Sequence, residues 1–220
     1  MTPVIAVTGV RFEARIAAGP DVTVLCGSDP IYLRASLKAA LRGGASGVVS
    51  FGTAGGLAPD LGTGDVVVAS AIVKDQARLF TDPVWSEAIL RKVRGHHGEI
   101  ASVDDPVAHA ADKRTLRGRT GASAVDMESF IAASVALEHA VPFVACRVII
   151  DPADRTLPAS ALAGFRRDGS SDIAAVLLAL LRRPGELPDL IRVGREARTA
   201  RTALAIVRSL LGQRFGLPGS

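Results

Sequence analysis

Asp151 is the acidic side chain best placed in the sequence to take part in proton transfer. It ends the apolar run Phe143–Ile150, so its carboxyl group would lie at the edge of a hydrophobic core. Burial raises the pKa of a carboxyl group, and a carboxyl protonated near neutral pH can act as a general acid. The alternative is an aspartate that only caps the turn at Pro152, and the residues alone favour this alternative.

Three further acidic residues precede it in the chain. Asp126 and Glu128 lie two positions apart where a helix is predicted to begin. Carboxylates there can bind a substrate or cap the first helical N–H groups, and both interpretations remain open. Glu13 follows the first predicted strand together with Arg11, and by itself it is typical of an exposed helix residue.

The stretch Gly47–Gly64 predicts a buried strand that runs into a glycine-rich turn at Gly52–Gly56. Glycines let the backbone approach a ligand closely, because no Cβ atom stands in the way. Such a turn at the carboxyl end of a strand also offers backbone N–H groups. Thr53, Ala54 and Gly55 are therefore candidate binding residues, although many turns of this kind serve packing alone.

Strands that alternate with helices predict an α/β fold in three layers, with a mostly parallel central sheet and helices on both faces. Strands are predicted at Val4–Thr8, Val22–Cys26, the start of Gly47–Gly64, Val66–Val73, Ile100–Val103 and Phe143–Ile150. Lys74–Pro83 is predicted to be a flexible loop. Ligands bind such sheets outside the carboxyl ends of the strands, which is where all the candidate residues fall.

Composition and charge exclude several classes of protein. The chain has 220 residues, of which 48% are hydrophobic, and no apolar run reaches the roughly 20 residues that span a bilayer. No secretory signal pattern is present, so we expect a cytoplasmic protein with reduced Cys26 and Cys146. The four histidines lack metal-binding spacing. The net charge of +4 resides in the C-terminal tail, which argues against nucleic-acid binding.

That tail is predicted to be an Arg-rich helical extension, residues 182–220, that follows a catalytic domain over 1–181. It holds 8 Arg and 3 acidic residues. Its apolar side chains form one helical stripe, with arginines off the stripe. The stripe predicts either a helix packed on the body, which we slightly favour, or an amphipathic helix over 187–211 that lies on an anionic membrane. The stripe consists of Val193, Ala197, Ala200, Leu204, Val207 and Leu211.

Three motifs together carry a resemblance to a known family. They are SFGTAGGLAPDLGTGDVVVAS (Ser50–Ser70), AVDMES (Ala124–Ser129) and VPFVACRVIIDPAD (Val141–Asp154). In order and spacing they resemble the superfamily of purine nucleoside phosphorylases and methylthioadenosine/S-adenosylhomocysteine nucleosidases over residues 4–154. VTGVRFEARIAAGP and the segment DPVAHAADKRTLRGRTGASAVDMES are similar to its hopanoid-associated branch, whose members remove adenine from the lipid-linked nucleoside adenosylhopane.

The resemblance implies a role for each candidate residue. Asp151 corresponds to the acid that protonates the purine at N7, and Glu128 to the carboxylate that binds the ribose hydroxyls. Met127 corresponds to the residue packed under the sugar, and Glu13 to the acid that positions water in hydrolytic members. Asp126, Thr53, Ala54 and Gly55 complete the substrate site. No metal or organic cofactor is implied.

Two departures bear on the nucleophile and on the pocket. Hexameric phosphorylases carry a phosphate-binding arginine where this chain has Ser50, although Arg11 together with Thr53 could bind phosphate instead. The nucleosidases have a serine before the catalytic aspartate, where this chain has Ile150, which makes the pocket more apolar. The branch resemblance and Arg11 slightly favour phosphorolysis over hydrolysis.

The resulting hypothesis is an enzyme that releases adenine from adenosylhopane, in the cytoplasm and in contact with the inner face of the membrane. A soluble methylthioadenosine/S-adenosylhomocysteine nucleosidase and a non-enzymatic nucleoside-binding or membrane-interaction module are the alternatives. Relatives form dimers or hexamers, so a homo-oligomer is expected, with the Lys74–Pro83 loop as a candidate to complete a neighbouring pocket. Phe12 and Phe165 are candidates to enclose the lipid part of the substrate.

Overall fold

The computed structural model describes residues 2–27, 29–164, 169–170 and 172–219; Phe165 lies outside them. The strands are β1 (Val4–Thr8), β2 (Val22–Cys26), β3 (Gly47–Gly56), β4 (Val66–Lys74), β5 (Ala77–Phe80), β6 (His96–Ser102), β7 (Ala124–Asp126) and β8 (Phe143–Asp151). The helices are α1 (Arg11–Ala17), α2 (Pro30–Arg42), α3 (Pro83–Val93), α4 (Ala110–Thr120), α5 (Ser129–Glu138), α6 (Ala159–Ala163), α7 (Ile173–Arg182) and α8 (Leu187–Leu211).

All of these strands belong to one mixed sheet with the order β2-β1-β3-β7-β6-β4-β5. β8 pairs with both β3 and β4, so β3, β7, β6, β4 and β8 close into a ring. The pairs β1–β2, β1–β3, β3–β8, β4–β6 and β6–β7 are parallel, and the remaining pairs are antiparallel. The sheet is therefore mostly parallel.

Alternate residues along the strands face two separate hydrophobic layers. Ile5 and Val7 point to the layer that holds the leucines of α2 and the apolar side of α5. Val4 and Ala6 point to the opposite layer, built from α1, α3 and α8. The two layers and the sheet between them confirm the predicted three-layer α/β fold.

The glycine-rich segment differs from its prediction. Gly52–Gly56 is not a turn but the second half of β3, and it pairs with β8 through Arg147 and Asp151. The glycines fit a strand here because atoms of neighbouring segments, side-chain atoms at Gly52 and Gly55 and backbone atoms at Gly56, lie where their Cβ atoms would be. The ligand-facing backbone is therefore a strand edge rather than a loop.

Three other segments also differ from the prediction. Lys74–Pro83 is not a flexible loop, because Ala77–Phe80 forms β5 and pairs antiparallel with β4 as a hairpin. β7 and α4 had no predicted counterpart. β7 is only three residues long, which is too short to give a clear pattern. α4 shows no apolar stripe, and its buried residue is Lys113.

Helix α8 packs on the body along its C-terminal half. Ala200, Leu204, Val207 and Leu211 are buried against the layer of α1 and α3. Arg208, one of the arginines off the stripe, lies 4.3 Å from the centre of the Phe215 ring and donates a hydrogen bond to the Ala17 carbonyl. Among the described residues, no helix is both long enough and apolar enough to cross a bilayer.

This packing predicts unequal costs for two substitutions on the same helix. Leu204→Ala removes a side chain with 0% exposure and leaves a cavity, whereas Ile206→Ala changes a side chain that is 56% exposed. We expect the first to lower the free energy of unfolding by about 2–5 kcal/mol and the second by less than about 1 kcal/mol. Equal effects in urea titrations would contradict the packing of α8 on the body.

Candidate active site

A cavity of about 170 Å³ opens at the carboxyl ends of β1, β3, β7 and β8. It brings together nearly all of the residues predicted from the sequence. Arg11 is the exception, because it is exposed and lies outside the cavity lining. The predicted residues that line the cavity are Glu13, Thr53, Ala54, Gly55, Asp126, Met127, Glu128 and Asp151.

A β-bulge aims Asp151 into this cavity. Along β3 and β8, Ala54 pairs with Ile149 and Gly55 pairs with Asp151, so Ile150 is the extra residue on β8. A bulge changes the alternation of side chains, and Ile150 and Asp151 consequently both line the cavity although they are consecutive. Gly55 lies beside this carboxyl group, and a Cβ there would be tight against the side chain of Val125, at 3.1 Å, rather than against Asp151.

Glu13 is buried and not an exposed helix residue. Its Oε2 accepts hydrogen bonds from the backbone N–H groups of Gly9 and Val10, at 2.9 and 3.1 Å. Its Oε1 accepts from the backbone N–H and the hydroxyl of Thr53, both at 2.7 Å. Four donors thus hold this carboxylate between the end of β1 and the second half of β3, in agreement with a position inside the site.

Arg147 lies at the centre of the buried charges. Its side chain is fully buried on β8, and its Nη2 lies 2.8 Å from Asp126 Oδ2 and 3.1 Å from Glu128 Oε2. Nη2 also donates to the hydroxyl groups of Ser50 and Ser129, at 2.7 and 3.3 Å. Ser50, the residue that replaces a phosphate-binding arginine, therefore supports a different arginine.

Glycines at two positions make room for these charges. A Cβ on Gly52 would lie 2.6 Å from Glu13 Oε2 and 2.7 Å from Arg147 Nη1. A Cβ on Gly9 would lie 2.6 Å from Glu128 Oε1. A Cβ atom does not approach other atoms this closely, so each glycine is needed for the close approach of charged side chains rather than for a turn.

Asp151 is paired with a lysine that sequence reasoning did not identify. Lys113 on α4 has no exposed surface, and its ammonium group donates to Asp151 Oδ2 and, at 2.9 Å, to the Pro152 carbonyl. Burial raises the pKa of Asp151 above its usual range, while the neighbouring Lys113 opposes the rise. Lys113 therefore limits a shift that burial alone would make larger.

The carboxylates around Arg147 outnumber its single charge. Burial raises the pKa of Glu128 to about 8; Arg147 opposes this rise, and the carboxylates of Asp126 and Glu13 add to it. Like charges that share a site cannot all ionise easily, so Glu128 takes up a proton near neutral pH. Asp126 forms the closer contact with Arg147, and we assign the ion pair to it.

Arg147 and Lys113 differ in the signal that they gave in the sequence. Arg147 interrupts the apolar run Phe143–Ile150, and a charged residue inside a buried strand implies buried partners of opposite charge. Lys113 stands in a segment rich in lysine and arginine, where nothing in the sequence distinguishes a buried lysine from an exposed one. Only the packing of α4 against the end of β8 shows its role.

The chain belongs to the phosphorylase superfamily, whose pattern it matches over residues 1–182. This match confirms the expectation of an enzyme of the phosphorylase and nucleosidase class. No curated protein sequence matches the chain at a significant level.

Solved structures support the same fold. Futalosine hydrolase from Helicobacter pylori has a TM-score of 0.67 and 17% identity, over 96% of this chain and 97% of that chain. A methylthioadenosine/S-adenosylhomocysteine nucleosidase from Campylobacter jejuni has a TM-score of 0.66 and 16% identity, over 96% and 98%. At these identities the likeness establishes the fold and not the substrate.

The Lys113–Asp151 pair predicts a stability loss that depends on pH. Lys113→Met leaves Asp151 buried beside no cation and raises its pKa further, because both of the lysine's effects on it disappear. At about pH 8 we expect the variant to lose about 3–5 kcal/mol of unfolding free energy. At about pH 5 the loss should be smaller, because a protonated Asp151 no longer needs a cation.

Lys38→Met is the matched control for this measurement. Lys38 pairs with Glu138 at the surface, where both side chains are more than a third exposed, and the pKa of Glu138 is lowered to about 2 by Lys38 and Arg34. The effect of this substitution should be much smaller than that of Lys113→Met at about pH 8, because water screens the exposed pair. An equal loss for Lys113→Met at the two pH values would contradict the assigned pair.

Proposed function

We propose that this enzyme cleaves the N-glycosidic bond of an adenosine-type nucleoside and releases adenine. The observation that carries the proposal is one cavity with a buried carboxyl group of raised pKa, Asp151, and a separate carboxylate-rich wall containing Glu13 and Glu128. Glycoside cleavage needs an acid for the leaving group and negative charge near the sugar. The relatives named above, a hydrolase of futalosine and a nucleosidase, support this class of reaction.

Asp151 is the proposed acid for the leaving base. Its proton passes to N7 of the purine while the bond between C1′ and N9 breaks, so the bonding electrons are accepted by a base that departs neutral. Burial raises the pKa of Asp151 and thereby favours the protonated form. The Lys113 ammonium then stabilises the carboxylate that remains after the transfer, so it is a positioning residue rather than a proton donor.

The carboxylate wall suits the ribose. Cleavage of the C1′–N9 bond leaves positive charge on the sugar, and a nearby carboxylate stabilises that charge more strongly in the transition state than in the substrate. Glu128, which lines the cavity, would accept hydrogen bonds from the ribose hydroxyls, and the half-buried Met127 would pack against the ring. Thr53, Ala54 and Gly55 border the same space.

Water is the nucleophile that these contacts favour. Glu13 lines the cavity, and its carboxylate is held in place by donors from the end of β1 and from Thr53. A water in the cavity beside Glu13 would donate a hydrogen bond to this carboxylate. As that oxygen bonds to C1′, its proton passes to Glu13, while Asp151 gives a proton to the base, so the overall proton count is unchanged.

Phosphate fits this wall less well, although the sequence slightly favoured phosphorolysis. A phosphate dianion would meet the carboxylate of Glu13 in the cavity, while the charge of Arg147 is already compensated by Asp126. Arg11, proposed as a phosphate ligand, is exposed and outside the cavity lining. Repulsion between like charges therefore argues for hydrolysis.

We further propose a lipid-linked nucleoside, adenosylhopane, as the substrate. The resemblance to the hopanoid-associated branch supports it, and so does the apolar part of the cavity wall, which includes Val103, Val107, Ile150 and Leu157. Such an enzyme would act in the cytoplasm at the inner face of the membrane, as a homo-oligomer if it follows its relatives. A soluble methylthioadenosine/S-adenosylhomocysteine nucleosidase is the second candidate, supported by the similarity to the Campylobacter jejuni nucleosidase of that class.

The class of reaction is tested by adenine release, measured by chromatography, from adenosine derivatives with an apolar 5′ extension. Asp151→Asn should lower the rate about 10²–10⁴-fold, because it removes the general acid. Asp154→Asn is the control, since this aspartate has a side chain that is 75% exposed, and it should leave the rate unchanged. Equal rates for the two variants would contradict the assignment of Asp151, and no release by the folded parent enzyme would favour a binding module.

The nucleophile is tested with the same assay in the presence and absence of phosphate. We expect equal rates and a free sugar product, because water attacks without help from phosphate. Release that requires phosphate and yields a sugar phosphate would establish phosphorolysis instead. Methylthioadenosine in parallel reactions tests the second candidate substrate, and preference for it over the extended adenosine would contradict the lipid-linked proposal.

A further inference from the structure

Helix α7 presents apolar side chains to solvent. None of its ten residues is buried, and four of its large apolar side chains are exposed, from 51% for Leu178 up to 79% for Leu181. A surface helix of a water-soluble domain normally turns its polar face outward. A contiguous exposed apolar patch of this kind marks a surface that binds something.

The exposed side chains form one continuous face. At about 100° per residue, Ile173, Leu177, Leu181 and Leu178 span an arc of roughly 140° around α7. Leu187 and Ile191, at the start of α8, are exposed by 48% and 49% and follow in the chain. We name this set the α7 docking face: Ile173, Leu177, Leu178, Leu181, Leu187 and Ile191.

The docking face lies next to the cavity. Gly9 and Val10 line the cavity, and the following residue, Arg11, donates its backbone N–H to the Gly169 carbonyl at 3.0 Å. Ile173 follows Gly169 by only four positions in the chain, so α7 begins within about 14 Å of that contact. On the other side, Leu157 lines the cavity and lies two residues before α6, whose C-cap Gly164 accepts a bond from Asp172.

The charge around the docking face identifies its partner. Residues 173–195, which contain the docking face, hold four arginines and two acidic residues, which pair with Arg183 and Arg192. Arg182 and Arg183 directly follow the apolar arc, and Arg195 is exposed one turn beyond Ile191. Apolar side chains bordered by arginines match the boundary between acyl chains and anionic headgroups. A second copy placed symmetrically would instead set these arginines against their own copies.

We propose that the α7 docking face lies on the surface of an anionic membrane and turns the cavity towards substrate in the bilayer. This role replaces the predicted one for the stripe of α8, which is buried from Ala200 to Leu211. The purpose of the contact rests on the proposed lipid-linked substrate. The contact itself depends only on the exposed surface, so the two claims can fail separately.

Vesicle flotation with the full chain tests the docking face. We expect the protein to float with vesicles of phosphatidylcholine and phosphatidylglycerol, to float less with phosphatidylcholine alone, and to be released by added salt. Leu177→Gln with Leu181→Gln should lower binding at least about tenfold, because two apolar side chains no longer enter the interface. Val84→Gln with Leu137→Gln is the matched control, since both positions are exposed and apolar but lie on α3 and α5.

Several results would overturn this proposal. One is that the parent protein does not float with anionic vesicles, and another is that the docking-face and control variants bind equally. A third is that light scattering shows a dimer of the parent protein that is lost in the docking-face variant but not in the control variant. Thermal melting confirms that both variants fold. We expect the parent and the docking-face variant to release adenine equally fast from a soluble adenosine derivative without vesicles. A failure of the catalytic proposal would appear in this assay, whereas a failure of the docking proposal would appear in flotation.

Discussion

The structure of the site depends on the ion pair between Arg147 and Asp126 inside the protein. Neither side chain is more than 1% exposed. Taking a guanidinium and a carboxylate out of water has a large cost, which their attraction offsets only when the geometry and the remaining hydrogen bonds are good. Ser50 and Ser129 supply such bonds, and Gly52 allows the arginine to reach β3. The ends of three strands are thereby held in one arrangement.

The same pair divides the cavity into two electrostatic environments. On the wall near Arg147, the carboxyl groups share one cation, and this surplus together with burial holds the pKa of Glu128 at about 8. On the opposite wall, Asp151 has its own cation, Lys113, and a separate raised pKa. The reaction needs a protonated carboxyl group near the purine and an ionised one near the sugar. Carboxyl groups in one environment would titrate together, so the two walls must differ.

The fold could be predicted from local patterns, and half of the cavity lining from those patterns together with the family resemblance. Apolar strands alternating with helices predict the layers, and residues after strand ends, such as Glu13 and Asp151, must meet at one edge of a parallel sheet. Arg147 and Lys113 could not be placed in this way. A buried cation is recognised by the partner that it meets in space, and Asp126 and Asp151 lie far from them along the chain.

A double-mutant cycle for Arg147→Met and Asp126→Asn tests the central ion pair most directly, with unfolding free energies from urea titration. We expect Arg147→Met alone to cost about 3–5 kcal/mol, because it leaves Asp126 charged and buried. The double variant should cost less than the sum of the single variants by at least about 1.5 kcal/mol, since the asparagine no longer needs a cation. Additive effects within about 0.5 kcal/mol would show that the two residues do not stabilise each other.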